Sequence, residues 1–223
     1  MNSRRLVFFQ WSRLDCPAPY VKIFNIFQMN VLIVYAHPNP RSFNQAILDR
    51  VDATLREGGH ATRVHDLYQM QFRSVLDGED LIRNWRGDLP VDTRREQDAI
   101  RWAQGLVFIY PIWWFGPPAI LKGWIDRVFT RRFAFEFGPE GMQGLLTHEK
   151  ALILNTLGGD AATYQRERWH ELLVRPMAEG VLGACGIHNV IHRAFYQVTS
   201  VTNAERQAML DEVRQLTMAL VGT

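Results

Sequence analysis

Three short stretches of this chain combine residue types suited to gripping one ligand by a phosphate, a flat ring and a polar edge. The first, Ala36-His37-Pro38-Asn39-Pro40-Arg41-Ser42-Phe43-Asn44, separates an apolar run from a helical pattern. A helix start there offers unpaired N–H groups, a favourable dipole and the Ser42 hydroxyl, which together make a seat for phosphate. The stretch is neither a GxxxxGK[ST] loop nor a GxGxxG turn, so ATP hydrolysis and a Rossmann dinucleotide site lose support. An ordinary capped loop would use the same residues, because Ser and Asn open many helices whatever they bind.

The second stretch is Pro111-Ile112-Trp113-Trp114-Phe115-Gly116-Pro117-Pro118. Its prolines and glycine mark a turn, and three consecutive aromatics in a turn make a planar surface on which a heteroaromatic ring can pack. A buried aromatic cluster is the competing reading. The third is Thr156-Leu157-Gly158-Gly159, where paired glycines permit close backbone approach, a weak signal by itself. Tyr164 and His170 follow six residues apart; a lone helical His is more often solvated than a proton carrier.

The elements around these stretches alternate regularly. Val31-Leu32-Ile33-Val34-Tyr35 reads as a parallel strand covered on both faces. Ser42 opens a helix carrying Ile47, Val51 and Leu55, with Gly58-Gly59 as its stop, and a short strand follows near Ala61 to His65. A second helix is expected from Thr93, where Glu96 completes a capping box, leading into a strand from Leu106 to Tyr110. The third helix, Pro117 to Phe129, precedes a strand from Ala151 to Asn155. A helix around Tyr164 to Ala178, a strand near Asn189 to Ala194 and a last helix capped by Thr202 and Glu205 complete five βα repeats. Right-handed crossovers then give an α/β, doubly wound five-stranded parallel sheet, order 2-1-3-4-5, with helices on both faces. In such sheets ligands bind beyond the strands' carboxyl ends, which is where all three stretches fall.

The totals narrow the class further. The chain has 223 residues, 47% hydrophobic and 22% charged, in keeping with one globular domain. A formal charge of +2 from 25 basic and 23 acidic residues lacks the basic stripe that nucleic acid needs. Cys16 and Cys185 stand in no metal or CxxC spacing, so a reducing cytoplasm is expected, and no run approaches a membrane span. Residues 1–28 read as an N-terminal extension whose Arg13, Asp15 and Lys22 interrupt any signal-peptide core; Met29 offers a second start, and residues 29–223 form the domain.

Together these segments resemble the flavodoxin-like NAD(P)H:quinone reductases, the DT-diaphorase family, over nearly all of residues 30–220. The run Trp114-Phe115-Gly116-x-Pro118-Ala119-Ile120-Leu121-Lys122-Gly123-Trp124, followed by Arg127-Val128-Phe129, is its most specific part. The resemblance implies a bound flavin, FAD with FMN as the alternative, and NAD(P)H as electron donor. His37, Ser42, Phe43 and Asn44 would hold its phosphates. Pro111, Ile112, Trp113, Trp114 and Phe115 would line its ring, with Thr156, Leu157, Gly158 and Gly159 at the pyrimidine end and Arg206 as a further contact. Tyr164 and His170 would take the catalytic role, placed where negative charge gathers on the reduced flavin.

By the same resemblance, Phe135 and Phe137 stand where two family tyrosines flank the substrate pocket, beside Trp114, so acceptor preference is open. The segment Gln69 to Asp92 is shorter than in the animal enzymes and would form part of the adenosine wall. No metal is expected. Family members are homodimers, and the helix from Pro117 to Phe129 would supply the contact here. The implied reaction is two-electron quinone reduction by ping-pong hydride transfer. An ancillary subunit of a potassium efflux system, or an azo or nitro reductase, is the alternative; a one-electron flavodoxin carrier suits neither the aromatic turn nor the near-neutral charge.

Overall fold

The computed structural model describes residues 28–222. The expected extension over residues 1–28, including Cys16, lies outside them except for Gln28. Strands follow in chain order as β1 (Asn30–Tyr35), β2 (Ala61–Asp66), β3 (Gly105–Pro111), the antiparallel pair β4 (Phe135–Gly138) and β5 (Gly141–Gly144), β6 (Lys150–Thr156) and β7 (Val190–Phe195). All but β4 and β5 form one parallel sheet in the order β2-β1-β3-β6-β7, which is 2-1-3-4-5 when the parallel strands alone are numbered.

The alternation of side chains along the strands assigns each residue to one of two cores. Val31, Ile33 and Tyr35 of β1, with Val107 and Ile109 of β3, meet Ile47, Val51 and Leu55 of α1 (Phe43–Glu57). The last helix, written α7 below, also covers this face through Val213 and Leu220. Leu32, Val34, Leu106 and Phe108 face the other way, onto α3 (Val91–Trp102) and α4 (Ala119–Val128). Each such aliphatic side chain, taken out of water, contributes about 1.5–3 kcal/mol. Helices on both faces make the sheet doubly wound, and among the described residues no helix is long and apolar enough to cross a membrane.

Local chemistry sets several boundaries where the sequence places them. Ser42 caps α1, its hydroxyl accepting from the Gln45 amide, and Gly58 ends it. Thr202 and Glu205 close a full capping box at the start of α7 (Asn203–Val221). The box expected at Thr93 and Glu96 does not form, because α3 begins earlier, after Pro90, and Glu96 turns inward. Buried at 1% exposure, Glu96 accepts instead from Trp124 Nε1 at 2.9 Å and pairs with His65 Nδ1 at 2.6 Å. The expected helix from Tyr164 to Ala178 is broken. It splits into α5 (Ala161–Arg166) and α6 (His170–Arg175), with Arg168 in left-handed backbone between them, and a π-helical turn (Pro176–Gly183) follows. The pair β4 and β5 and the helix α2 (Gly78–Arg86), capped by Asp77, stand where no element was expected.

The apolar side of α4 is spent inside the chain. Leu121, Trp124, Ile125 and Val128 are all buried, which leaves this helix no apolar face for a partner, contrary to the contact expected of it. A strap of chain crosses α4 instead. At Gly123 a Cβ would overlap the Ser74 carbonyl, so only glycine allows the crossing.

Arg127 fixes the far end of that strap. Its side chain is fully buried and donates to Asp80 Oδ2 at 2.9 Å, to both Asp92 oxygens, and to the Arg73 carbonyl at 2.8 Å. Burial pushes the Asp80 carboxyl up, but the hydrogen bonds of Arg127 and Arg73 outweigh it and hold it below the ordinary range. Asp92 is held low chiefly by Arg127. Depressed carboxylates stabilise the fold above their unfolded values, near pH 4, and lose that contribution as pH falls through the folded ones. Arg127→Met should therefore cost about 3–5 kcal/mol in urea unfolding, because it strands buried carboxylate charge. The variant should also lose part of the parent's acid sensitivity below about pH 4; unchanged stability would show that the network does not hold the strap.

Candidate functional site

The carboxyl ends of β1, β3 and β6 open into a cleft of about 220 Å³ lined by His37, Phe43, Asn44, Pro111, Ile112, Trp113, Thr156, Leu157, Gly158, Val198 and Thr199. All three chemistry-bearing stretches contribute to it. A larger cavity, about 720 Å³, opens at the amino ends of the same strands beside Met29, Gln104 and Lys150. Position outweighs volume here, because open parallel sheets bind ligands at their carboxyl ends.

Strand register brings the loops level, with Tyr35 opposite Ile109 and Pro111 opposite Thr156. Thr156 then joins them. Its carbonyl accepts from the Ile112 amide at 2.8 Å, and its hydroxyl accepts from Asn44 Nδ2 at 2.6 Å. Asn44 is 2% exposed, and its Oδ1 has no hydrogen-bond partner. A buried carbonyl oxygen left alone costs about 1–3 kcal/mol, so this edge of the cleft is short of a donor.

At the end of the cleft nearest α1, Ser42 Oγ lies 3.4 Å from the Tyr35 hydroxyl, and Arg41 N–H donates to Asn39 Oδ1 at 2.9 Å. His37 Nδ1 lies within hydrogen-bond reach of both the Asn39 amide, at 3.0 Å, and the Asn39 carbonyl, at 3.2 Å. Burial pushes the His37 pKa down, so the ring is neutral near pH 7. Its ring centroid lies 6.1 Å from that of Trp113, the two planes tilted by 58°.

The aromatic turn closes on itself, Trp113 and Gly116 exchanging both backbone hydrogen bonds across Trp114 and Phe115. Both central residues have left-handed backbone, φ 50° and 63°, a geometry that glycine or asparagine normally supplies. Two bulky aromatics held there store strain of order 1–2 kcal/mol each, and such outliers gather at ligand sites. Trp114 is 96% exposed and is not among the cleft-lining residues, whereas Phe115 packs at 5.3 Å, edge to face, against Trp169.

Tyr164 belongs to the same aromatic wall, 5.6 Å from Trp169 and 5.5 Å from Tyr196. Its ring fits against Gly159, where a Cβ would come within 2.6 Å of it. Burial pushes the Tyr164 hydroxyl pKa up, so it is a proton donor near neutral pH. His170 opens α6 with Nδ1 buried and unpartnered. Arg206 donates to the Val198 carbonyl from Nε and Nη2, at 3.3 and 3.2 Å, and so clamps the loop after β7. Ser42, Gly159, Arg206, Trp114, Phe115, Tyr164 and His170 do not line the cleft. Phe135 and Phe137 stack edge to face at 5.6 Å on β4, and neither lines the cleft. The segment from Gln69 to Asp92 contributes no lining residue either.

Sequence reasoning missed Val198 and Thr199, although they follow β7 and the rule of strand carboxyl ends points to them. It also missed the polar layer beneath the floor. There His192 Nε2 donates to Asn155 Oδ1 at 2.7 Å, with His192 neutral because burial, aided by Arg193, drives its pKa down to about 4. Among the described residues no cluster of His, Cys, Asp and Glu is arranged to hold a metal.

Comparison with known proteins joins this geometry to a lineage. An NAD(P)H oxidoreductase of Haemophilus influenzae, itself named uncharacterized, is 35% identical over 192 residues, covering 86% of this chain and 95% of that protein. The human ribosyldihydronicotinamide dehydrogenase (quinone) is 32% identical over 201 residues, covering 81% of this chain and 87% of its own. The solved NAD(P)H:quinone oxidoreductase of Methanothermobacter marburgensis superposes with a TM-score of 0.79 at 32% identity, covering 85% of this chain and 98% of that one. The family model described as flavodoxin-like fold matches residues 29–217, a span that holds the whole sheet and every loop of the cleft, and the chain belongs to that family.

Proposed function

We propose that the protein is a flavin-dependent NAD(P)H:quinone oxidoreductase. The observation that carries this reading is the convergence on Thr156 of the loop that suits phosphate, the aromatic turn and the glycine pair. The names of the relatives, NAD(P)H and quinone oxidoreductases at 32–35% identity, support the reaction class. Bound in the cleft, a flavin, FAD or alternatively FMN, would supply two-electron hydride chemistry between NAD(P)H and an acceptor used in turn at one face.

The residues divide the work by their chemistry. His37, Ser42, Phe43 and Asn44 hold phosphate with the amides that open α1, where the helix dipole favours negative charge. Pro111, Ile112, Trp113, Trp114 and Phe115 offer backbone groups and flat surface to the ring. Thr156, Leu157, Gly158 and Gly159 meet its polar edge, with the unpartnered Asn44 Oδ1 ready to accept from a ring or ribityl donor. Arg206 steadies Val198 at the rim. Tyr164, protonated at neutral pH, and His170 donate where negative charge collects, which lowers the cost of storing two electrons there. Trp114, Phe135 and Phe137, which lie outside the cleft lining, are assigned to contact with a flat acceptor rather than with the flavin.

The active form is proposed to be a homodimer. Since α4 has no free apolar face, α2 is the better contact: Leu81, Ile82 and Trp85 are exposed while the polar Asp80 is buried. A contiguous apolar face on a short helix marks an interface more often than a solvated surface. Trp85 also lies beside Arg131, which is paired with Glu136 on β4, so the patch runs toward Phe137.

Purified protein incubated with FAD or FMN should turn yellow and oxidise NADPH only when menadione is supplied, and mass spectrometry of the released flavin should identify its natural partner. Asn44→Ala should weaken flavin binding about tenfold, as loss of a buried hydrogen bond on both sides of the cleft predicts. Colourless protein that leaves NADPH untouched would end this reading. Light scattering of the parent should give a dimer mass and Trp85→Glu a monomer; a Trp85→Glu dimer would move the interface elsewhere.

A further inference from the structure

A second cleft, about 470 Å³, lies between the edge strand β2 and α3, lined by Arg63, His65, Val91, Arg94, Arg95, Asp98 and Ala99. Two independent spacings build it. Arg63 and His65, two apart, share the face of β2 that α3 covers, as their register with Leu32 and Val34 shows. Val91, Arg94, Arg95 and Asp98 recur at helical spacing along one stripe of α3.

The charge in this cleft is unbalanced and held in place. Asp98 is engaged by Arg101 at 2.8 Å, outside the lining. Arg94 donates to the Leu89 carbonyl at 2.9 Å and has a loose tie to Asp88 at 3.8 Å, and Arg63 and Arg95 have no carboxylate partner among the described residues. The Arg63 guanidinium lies 4.0 Å over the Trp102 ring, which fixes its plane while leaving its N–H edge free. At the floor, nine-tenths buried, His65 is pinned by Glu96, which is in turn pinned by Trp124. With Nδ1 spent on Glu96, Nε2 is the nitrogen left for the cleft.

We infer that this cleft is a binding site for a phosphate group, free or carried as a phosphate monoester on a small molecule, separate from the cleft at the strand ends. Planar guanidinium forks match a tetrahedral oxyanion through paired N–H donors, and preorganised forks lose little entropy on binding. Basic residues on an edge strand also discourage strand pairing, but that purpose requires neither stacking on Trp102 nor a buried His65–Glu96 pair.

Calorimetric titration of the full chain, first saturated with flavin so that the seat at the start of α1 is filled, with sodium phosphate against sodium chloride at equal ionic strength, should give saturable binding at one site. Arg63→Ser with Arg95→Ser should weaken it at least about tenfold, and Arg63→Lys with Arg95→Lys, keeping charge but losing the forks, should restore only part. Tighter binding of 2′-AMP than of inorganic phosphate would assign the group to a nucleotide ester, and equal or weaker binding to the free ion. Heat no greater than that of chloride, or heat unaltered in the serine variant, would overturn the proposal.

Discussion

The cleft exists because one threonine at the end of a central strand is shared by two neighbouring loops. Thr156 sits opposite Pro111 in the β3–β6 register and gives its carbonyl to Ile112 and its hydroxyl to Asn44. These bonds run between segments that leave different strands, so the sheet's register becomes the shape of the site. A slip of one residue would turn every strand side chain to the opposite face, exchanging the two cores and scattering the loops. The apolar filling of β1, β3 and β6 on both sides forbids that slip, and in this sense the cores dictate the site.

Much of this was legible because it is local or periodic. The continuous apolar run of β1, Ser42 before α1, the box at Thr202 and the sheet order all follow from short-range pattern and from the rules of right-handed crossover. What failed was decided by distant partners. Glu96 has the right spacing from Thr93 for a capping box, yet His65 and Trp124 draw it inward, and no window of sequence contains all of them. The helix expected across Tyr164 to Ala178 breaks at Arg168, where Tyr164 and Trp169 pack into the wall with Phe115 and helical continuity gives way to tertiary contact. The α2 segment hid for the opposite reason. Its apolar residues lie on the outside and its Asp80 inside, the reverse of the pattern by which surface helices are recognised.

The candidate site was legible in outline and not in detail. The rule of strand carboxyl ends located its loops, and nine of the lining residues lie in the stretches that the sequence singled out. Which residues touch the cleft and which stand behind it depends on backbone geometry that spacing does not encode. Left-handed φ at Trp114 and Phe115 turns one ring to solvent and the other to Trp169, although the two are neighbours of identical chemical class. Strain of this kind survives only where surrounding contacts over-determine the backbone, here the paired Trp113–Gly116 bonds and the Phe115 stacking.

The strap over α4 is fastened twice, at Gly123 by close backbone approach and at Arg127 by its carboxylates, and neither fastening involves the residues that line the strand-end cleft. Between Asp80 and Asp92, the two carboxylates that Arg127 holds, the chain can change in length. A change of length there would remodel the outer surface, the C-terminal turn of α2 included, while the frame beneath keeps its dimensions.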